Sequence, residues 1–390
     1  MEVRTLSVFL ATAGSPFFWG ALCRLKANGV GFQLFPDPTR MKTGFALLVL
    51  LLTAGCDSGP RVETFSGLQQ GTSYHIKVVL DAPERDRKEI EGLIERLFLT
   101  VDLALSTYRE DSDLSRFNRS ESRDWVEVAP SVVQLTALAR GVSEKTQGCF
   151  DPTIKPLFDL WGFSRAGPQR QPEEAEIRRV QSQIGIEGIE LDLEGHRLRK
   201  KDPSRTLDLS SIGQGYTVGE IARALEARGL TSYLVEIGGE LKVRGLKPDG
   251  SHWRVAVEKP TPTTAAIQAL LDVREVRGTA IMTAGTYRHF FEQDGQVFSH
   301  ILDPRAGRPV QHNLLSVTVL HEDPTLADLW DTALLCVGEE EAKRLAVQED
   351  LRVLLISDHD HQLIEWTSPA FIRESEAGVQ LIHPETSRTP

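Results

Sequence analysis

Two hydrophobic periods, one of two residues and one of 3.6, succeed each other irregularly along this chain, and that irregularity constrains its fold more than any other feature. Thr72 to Leu80 carries Tyr74, Ile76 and Val78 at alternate positions, as a strand does, and Glu84 to Ser106 follows with Ile90, Leu93, Ile94, Leu97 and Leu99 at helical spacing. Further helices are predicted at Ser131 to Lys145, Glu173 to Ile184 and Thr217 to Arg228, the last ended by Gly229. Strands are predicted at Gly188 to Leu193, Ser232 to Ile237, Glu240 to Arg244, His252 to Val257, Gly278 to Thr283, Leu315 to Leu320 and Leu351 to Ser357. A doubly wound sheet needs strand and helix in regular turn. The observed order instead predicts an α+β fold of mixed sheets with flanking helices. The polar stretch Ser164 to Pro172 reads as a surface loop that could divide two lobes, although strands on both sides could share one sheet.

The first 55 residues stand outside this pattern. Met41-Lys42-Thr43-Gly44 is a short basic start, and Phe45 to Leu52 (FALLVLLL) is an apolar run too short to span a bilayer and remain there. Small residues, Thr53-Ala54-Gly55, then lead to Cys56, the arrangement of a lipoprotein signal. Residues 41–55 are therefore expected to be removed and Cys56 to carry lipid. Asp57 resembles the residue that retains many Gram-negative lipoproteins in the inner membrane, which predicts an anchor on its periplasmic face. Residues 1–40, with Arg4, Arg24, Lys26 and Arg40, have no role in such a signal and are expected to lie upstream of the natural start. Residues 56–70 are polar and aperiodic and are expected to form a tether; residues 371–390 are expected to be a C-terminal tail.

The formal charge of -11 argues against a general nucleic-acid binder whose affinity comes from neutralising phosphates, while leaving room for a local basic patch. Four cysteines are too few for a disulfide-built scaffold, so the 41% of hydrophobic residues must supply a conventional core. Beyond the signal only Cys149 and Cys336 remain. Each sits among apolar neighbours, which favours buried, inert thiols over a redox pair.

Several segments combine glycine, acid and hydroxyl groups in ways a packed core does not need. Ser106-Thr107-Tyr108, with Ser112, Ser115 and Asn118, reads first as a helix end with local side-chain bonds. Cys149-Phe150-Asp151-Pro152-Thr153 and Leu160-Trp161-Gly162-Phe163 are turn and core by the simplest reading, or the wall of a pocket for a flat ring. Leu207 to Tyr216 (LDLSSIGQGY) looks like a glycine-bearing turn into the helix near Thr217, where free backbone N–H groups could meet a phosphate. Val235 to Glu240 (VEIGGE) is similar, or a mere hairpin. His300, Asp303 and Arg305 offer an imidazole, an acid and a phosphate partner close together. Asp328 and Thr332 lie four apart on one helical face beside Asp331, a hard oxygen set suited to magnesium or an ordinary acidic first turn.

Taken together, these segments resemble the ApbE-type FAD:protein FMN transferases. The resemblance runs in order from about Gly71 to about Gly338, through Gly71-Thr72, Ser106 to Asn118, Cys149 to Phe163, Asp208 to Tyr216, Val235 to Glu240, Thr283 to Tyr287, Ser299 to Gly307 and Ala327 to Gly338. It implies a family domain over residues 71–370 with largely antiparallel sheets, which cleaves FAD, releases AMP and attaches FMN to a threonine of a partner redox protein. By position, Tyr108, Cys149, Phe150, Asp151, Asp208, Gln214 and Leu302 would line the FAD site. Asp328, Asp331, Thr332 and the main-chain oxygen of Ser211 would hold Mg2+, and His300 would be catalytic. Gln214 stands where many members carry Lys, and Gln70 where Met often precedes Gly-Thr. The implied partner is an exported flavin-accepting subunit, such as one of sodium-pumping NADH:quinone reductase. A magnesium-dependent FAD pyrophosphatase and a non-catalytic FAD-binding lipoprotein are the alternatives.

Overall fold

The computed structural model describes residues 59–81, 83–164, 169–261, 266–375 and 378–384. The expected signal and Cys56 lie outside them. Eight strands form one sheet in the order Arg61–Gln69, Thr72–Leu80, Tyr233–Ile237, Glu240–Arg244, Thr279–Gly285, Leu314–His321, Arg352–His359 and Gln362–Thr367. Every neighbouring pair is antiparallel, and the sheet does not close into a barrel. Strands from both sides of the Ser164 to Pro172 loop share it, so that loop does not divide the sheet.

The central strands are buried on both faces because their residues are apolar at consecutive positions. Val235, Ile237, Val353 and Leu355 enter a core beneath a helical layer, while Leu234, Leu354 and Ile356 enter a second core on the opposite face. Each such side chain contributes roughly 1.5–3 kcal/mol by leaving water. The helical layer consists of Pro83–Leu105, Pro130–Lys145, Ser210–Glu226 and Pro324–Val337, which supply Ile94, Phe98, Val133, Ile221 and Leu334 to the first core. The second face is covered by a three-stranded sheet, Trp253–Glu258, Ile267–Val273 and Val379–Ile382. A smaller cluster joins the helices Lys155–Trp161 and Glu174–Gln181 to the hairpin Phe290–Gln293/Gln296–Ser299 through Trp161, Phe291 and Phe298.

Three expectations need correction. Most of the supposed tether is the edge strand Arg61–Gln69, paired along its whole length with Thr72–Leu80. Only Phe65 of that strand is buried, so it carries no apolar alternation to read. Part of the supposed C-terminal tail is the strand Val379–Ile382, which pairs with Leu270 to Val273. The helix expected near Thr217 begins instead at Ser210 and runs through Gly213 and Gly215, where a turn was expected. Gly215 is tolerated there because its bare Cα lets the helix press against Pro324–Val337; a Cβ would stand 2.5 Å from both Asp328 Cβ and the Pro324 carbonyl oxygen.

Candidate active site

One helix and one strand bring three carboxylates together. Asp328 and Asp331 project from Pro324–Val337, and Glu240 opens the strand Glu240–Arg244 after the Gly238–Gly239 turn, whose φ values of 65° and 104° suit glycine. One carboxylate oxygen from each lies within 4.8 Å of the others, and all three residues are buried. Asp328 Oδ2 accepts the Gly215 N–H at 2.7 Å, Glu240 Oε2 accepts the Thr283 N–H at 3.0 Å, and Asp331 accepts from the N–H and hydroxyl of Thr332. Burial, followed by mutual repulsion with Glu240, holds both aspartates well above the usual carboxylate range. Burial pushes Glu240 up to about 7, opposed by the positive charge of Arg288. Three clustered carboxyl groups shielded from water, which resist ionising without a counter-charge, are a hard-oxygen donor set that a divalent cation fits. Asp328, Asp331 and Thr332 were legible as candidate ligands; Glu240 was not, although its VEIGGE segment stood out.

Beside the acids lies a cavity of about 810 Å³. Ten expected site residues line it: Phe150, Asp151, Cys149, Tyr108, Asp208, Ser211, Gln214, His300, Leu302 and Thr332. Tyr108 is 73% exposed, so its ring forms a rim that can fold over a bound plane. Asp151 is committed to structure: Oδ1 accepts from the N–H and hydroxyl of Thr153, and Oδ2 from the Ile186 N–H. Burial nevertheless raises its pKa. Asp208 accepts the Ser210 N–H at 2.9 Å and thereby shapes the helix start. The Asn118 side chain clamps Leu207 through both backbone groups, at 2.7 and 2.8 Å, which fixes the approach to that helix. Gln70 does not line the cavity; its amide donates to Asp102 and Thr217.

Cys149 and Cys336 are not free thiols. They form a disulfide with a Cα–Cα distance of 5.9 Å, buried in the cavity wall, that joins the Phe150-Asp151 turn to the helix bearing Asp328 and Asp331. Their apolar surroundings were read correctly, but 187 residues of separation conceal a spatial pairing.

His300 sits where the cavity meets His289, with 5.3 Å between ring centroids in an edge-to-face arrangement. Its Nδ1 lies 3.1 Å from the His289 carbonyl oxygen. A carbonyl only accepts, so Nδ1 carries the proton and Nε2 keeps a free lone pair. Burial first, then His289 and Arg288, lower its pKa to about 4, which leaves the ring neutral at pH 7. The expected grouping with Asp303 is different in detail: Asp303 is engaged by Arg305 at 2.8 and 2.9 Å, and the proton-accepting nitrogen of His300 owes nothing to it. The arrangement thus offers a cation site, a large cavity and a neutral imidazole base, the components of metal-assisted group transfer.

Comparison with known proteins converges on one family. The sequence model of the ApbE family matches residues 70–355. The chain is 37% identical to an FAD:protein FMN transferase of Salmonella typhimurium, over 85% of this chain and 97% of the relative. It is 38% identical to that of Vibrio cholerae, over 84% and 96%. The solved flavin transferase ApbE from Vibrio cholerae superposes with a TM-score of 0.74 at 36% identity, covering 80% of this chain and 99% of that one. The apo flavinyl transferase ApbE of Pseudomonas stutzeri gives 0.73 at 35%, covering 80% and 96%.

Proposed function

The chain belongs to the ApbE family, and from that membership we propose that it is a magnesium-dependent FAD:protein FMN transferase acting on a threonine of a partner redox protein. The observation that carries this reading is the junction of the buried Glu240, Asp328 and Asp331 cluster with a cavity whose wall includes His300. Tyr108 and Phe150, which line the cavity, would pack against the aromatic rings of FAD. Asp328, Asp331, Thr332 and the Ser211 main-chain oxygen, joined by Glu240, would hold Mg2+, which when bound neutralises charge on the pyrophosphate and the departing AMP. His300 Nε2 takes the proton of the acceptor hydroxyl.

The proposal extends to the setting. Cys56 carries a lipid anchor that holds the protein at the periplasmic face of the inner membrane, and the partner is an exported flavin-accepting subunit of an electron-transfer complex, such as sodium-pumping NADH:quinone reductase. The export signal Phe45 to Leu52 followed by Cys56 supports this placement.

Incubation with FAD and Mg2+, with and without an exported acceptor, tests the activity. AMP released only with acceptor, together with covalent FMN on it, is the expected result. AMP without acceptor would make the protein a pyrophosphatase, and no AMP in either case would reduce it to a flavin binder. Cys56→Ala should yield protein without lipid; lipid retained in that variant would remove the anchor from Cys56.

A further inference from the structure

Arg288 stands beside the acid cluster, and its charge acts on both Glu240 and His300. It follows the strand Thr279–Gly285, and its guanidinium lies against the bare Gly238–Gly239 turn: a Cβ on Gly239 would stand 3.1 Å from Nη1 and 3.6 Å from Nη2. Its Nε is buried without a hydrogen-bond partner. Glu258 is 4.0 Å from Nη2, beyond hydrogen-bond reach. Glu240, Glu258 and Tyr287 all act on its charge, but the Nε donor is left over, and a buried donor is costly unless an acceptor completes it.

The surroundings indicate which anion. Arg288 lines a recess of about 280 Å³ with His289 and His300, and these two histidines, with Phe158 and Phe163, also line the large cavity. The recess and the cavity therefore meet at the base. Glu240, one of the cation-site acids, is among the groups that act electrostatically on Arg288. Thr332, next to Asp331 of the acid cluster, lines the same large cavity as His289 and His300, so a ligand reaching from that cavity into the recess meets Thr332, His300 and Arg288.

We infer that Arg288 binds the phosphoryl group in transit, donating its N–H groups to the non-bridging oxygens of the flavin-side phosphate. This rests on the transferase reading above. In the step it assists, the bond from that phosphorus to the bridging oxygen breaks and its electron pair leaves on AMP. The acceptor hydroxyl oxygen forms the new P–O bond, and its proton passes to His300 Nε2. Nothing is oxidised or reduced. An acidic side chain of the acceptor is the competing anion, but the Arg288 guanidinium lies against the Gly238–Gly239 turn that leads into Glu240, which favours the phosphate.

The test compares wild type, Arg288→Gln and Arg288→Lys in the full protein with Mg2+, measuring AMP release, FAD affinity by flavin fluorescence, and inhibition by inorganic pyrophosphate. Wild-type AMP release with acceptor is the control for the transferase reading; its absence defeats that reading without touching Arg288. Given that activity, Arg288→Gln should lower kcat by about 10²–10³-fold, the size seen when one preorganised donor is lost. Pyrophosphate should inhibit it at least tenfold more weakly, while FAD affinity changes less than threefold. Arg288→Lys keeps the charge but loses the fork, so its kcat should fall about tenfold. Thermal melting identifies a misfolded Gln variant, in which case the Lys variant decides alone. Unchanged kcat in the Lys variant, or a Gln variant that raises only the KM for acceptor, overturns the inference.

Discussion

The backbone N–H of Gly215 donates to Asp328 Oδ2 at 2.7 Å, so the Ser210–Glu226 helix fixes a carboxylate belonging to the Pro324–Val337 helix. Contact this close is possible only without a Cβ. Gly215→Ala should favour the helix by about 1 kcal/mol through propensity and lose about 1–3 kcal/mol through overpacking. The expected outcome is a lower melting temperature and a magnesium half-saturation raised by about 10–100-fold, as when a group orienting a metal ligand is disturbed. Magnesium titration of AMP release checks it; an unchanged titration would mean that Asp328 does not need this support.

Metal-free protein should lose stability as pH rises. The Glu240 carboxyl has an ordinary value of 4.5 and stands at about 7 in the folded protein. The folded state therefore binds more protons, and the stabilisation is complete below pH 4.5 and lost as pH climbs through about 7. Asp328 and Asp331 shift in the same direction. For Glu240 alone the effect approaches about 3 kcal/mol. Melting curves from pH 4.5 to 8 in chelator should fall, and magnesium should restore the upper end of the range. A flat curve in chelator would show that the acids are not held in repulsion.

His300→Ala should reduce FMN transfer by roughly 10²–10⁴-fold with little change in FAD affinity. Because the free ring titrates near 4, wild-type kcat/KM should be insensitive to pH from 5 to 7 as far as this group is concerned. The covalent flavin on acceptor, followed by in-gel fluorescence, gives the rate. Near wild-type transfer by His300→Asn would instead make the ring a positioning group.

Paired replacement of Cys149 and Cys336 by Ala should lower unfolding stability by about 2–5 kcal/mol, since the cross-link constrains a long loop of the unfolded chain. Denaturant unfolding with and without a thiol reductant checks it. Identical midpoints under the two conditions would show that the bond contributes nothing to the native protein.

The sequence disclosed what depends on short range. Asp328, Asp331 and Thr332 share a helical face, so their spacing alone suggested an oxygen site. The central strands were visible because Val235, Ile237, Val353 and Leu355 satisfy one face while their neighbours satisfy the other. What stayed hidden depends on partners distant in the chain. Phe65 is the single buried residue of an edge strand, Glu240 reaches the aspartates from a different element, and Cys149 meets Cys336 only once the core is assembled. Gly215 misled for a related reason: glycine signals a turn locally, whereas here it makes room for a neighbouring helix.

The covalent link between positions 149 and 336 encloses nearly all of the candidate chemistry, including Asp208, Glu240, Arg288, His300 and Asp328, within one closed ring of chain. A protease that cuts the exposed Pro248 to Ser251 turn would therefore open the ring without releasing either piece. The clipped protein should migrate as one species on a non-reducing gel and as two after reduction. A population damaged in this way can keep both halves of the site at each other's effective concentration, so chain integrity and active-site integrity are separable properties of this molecule.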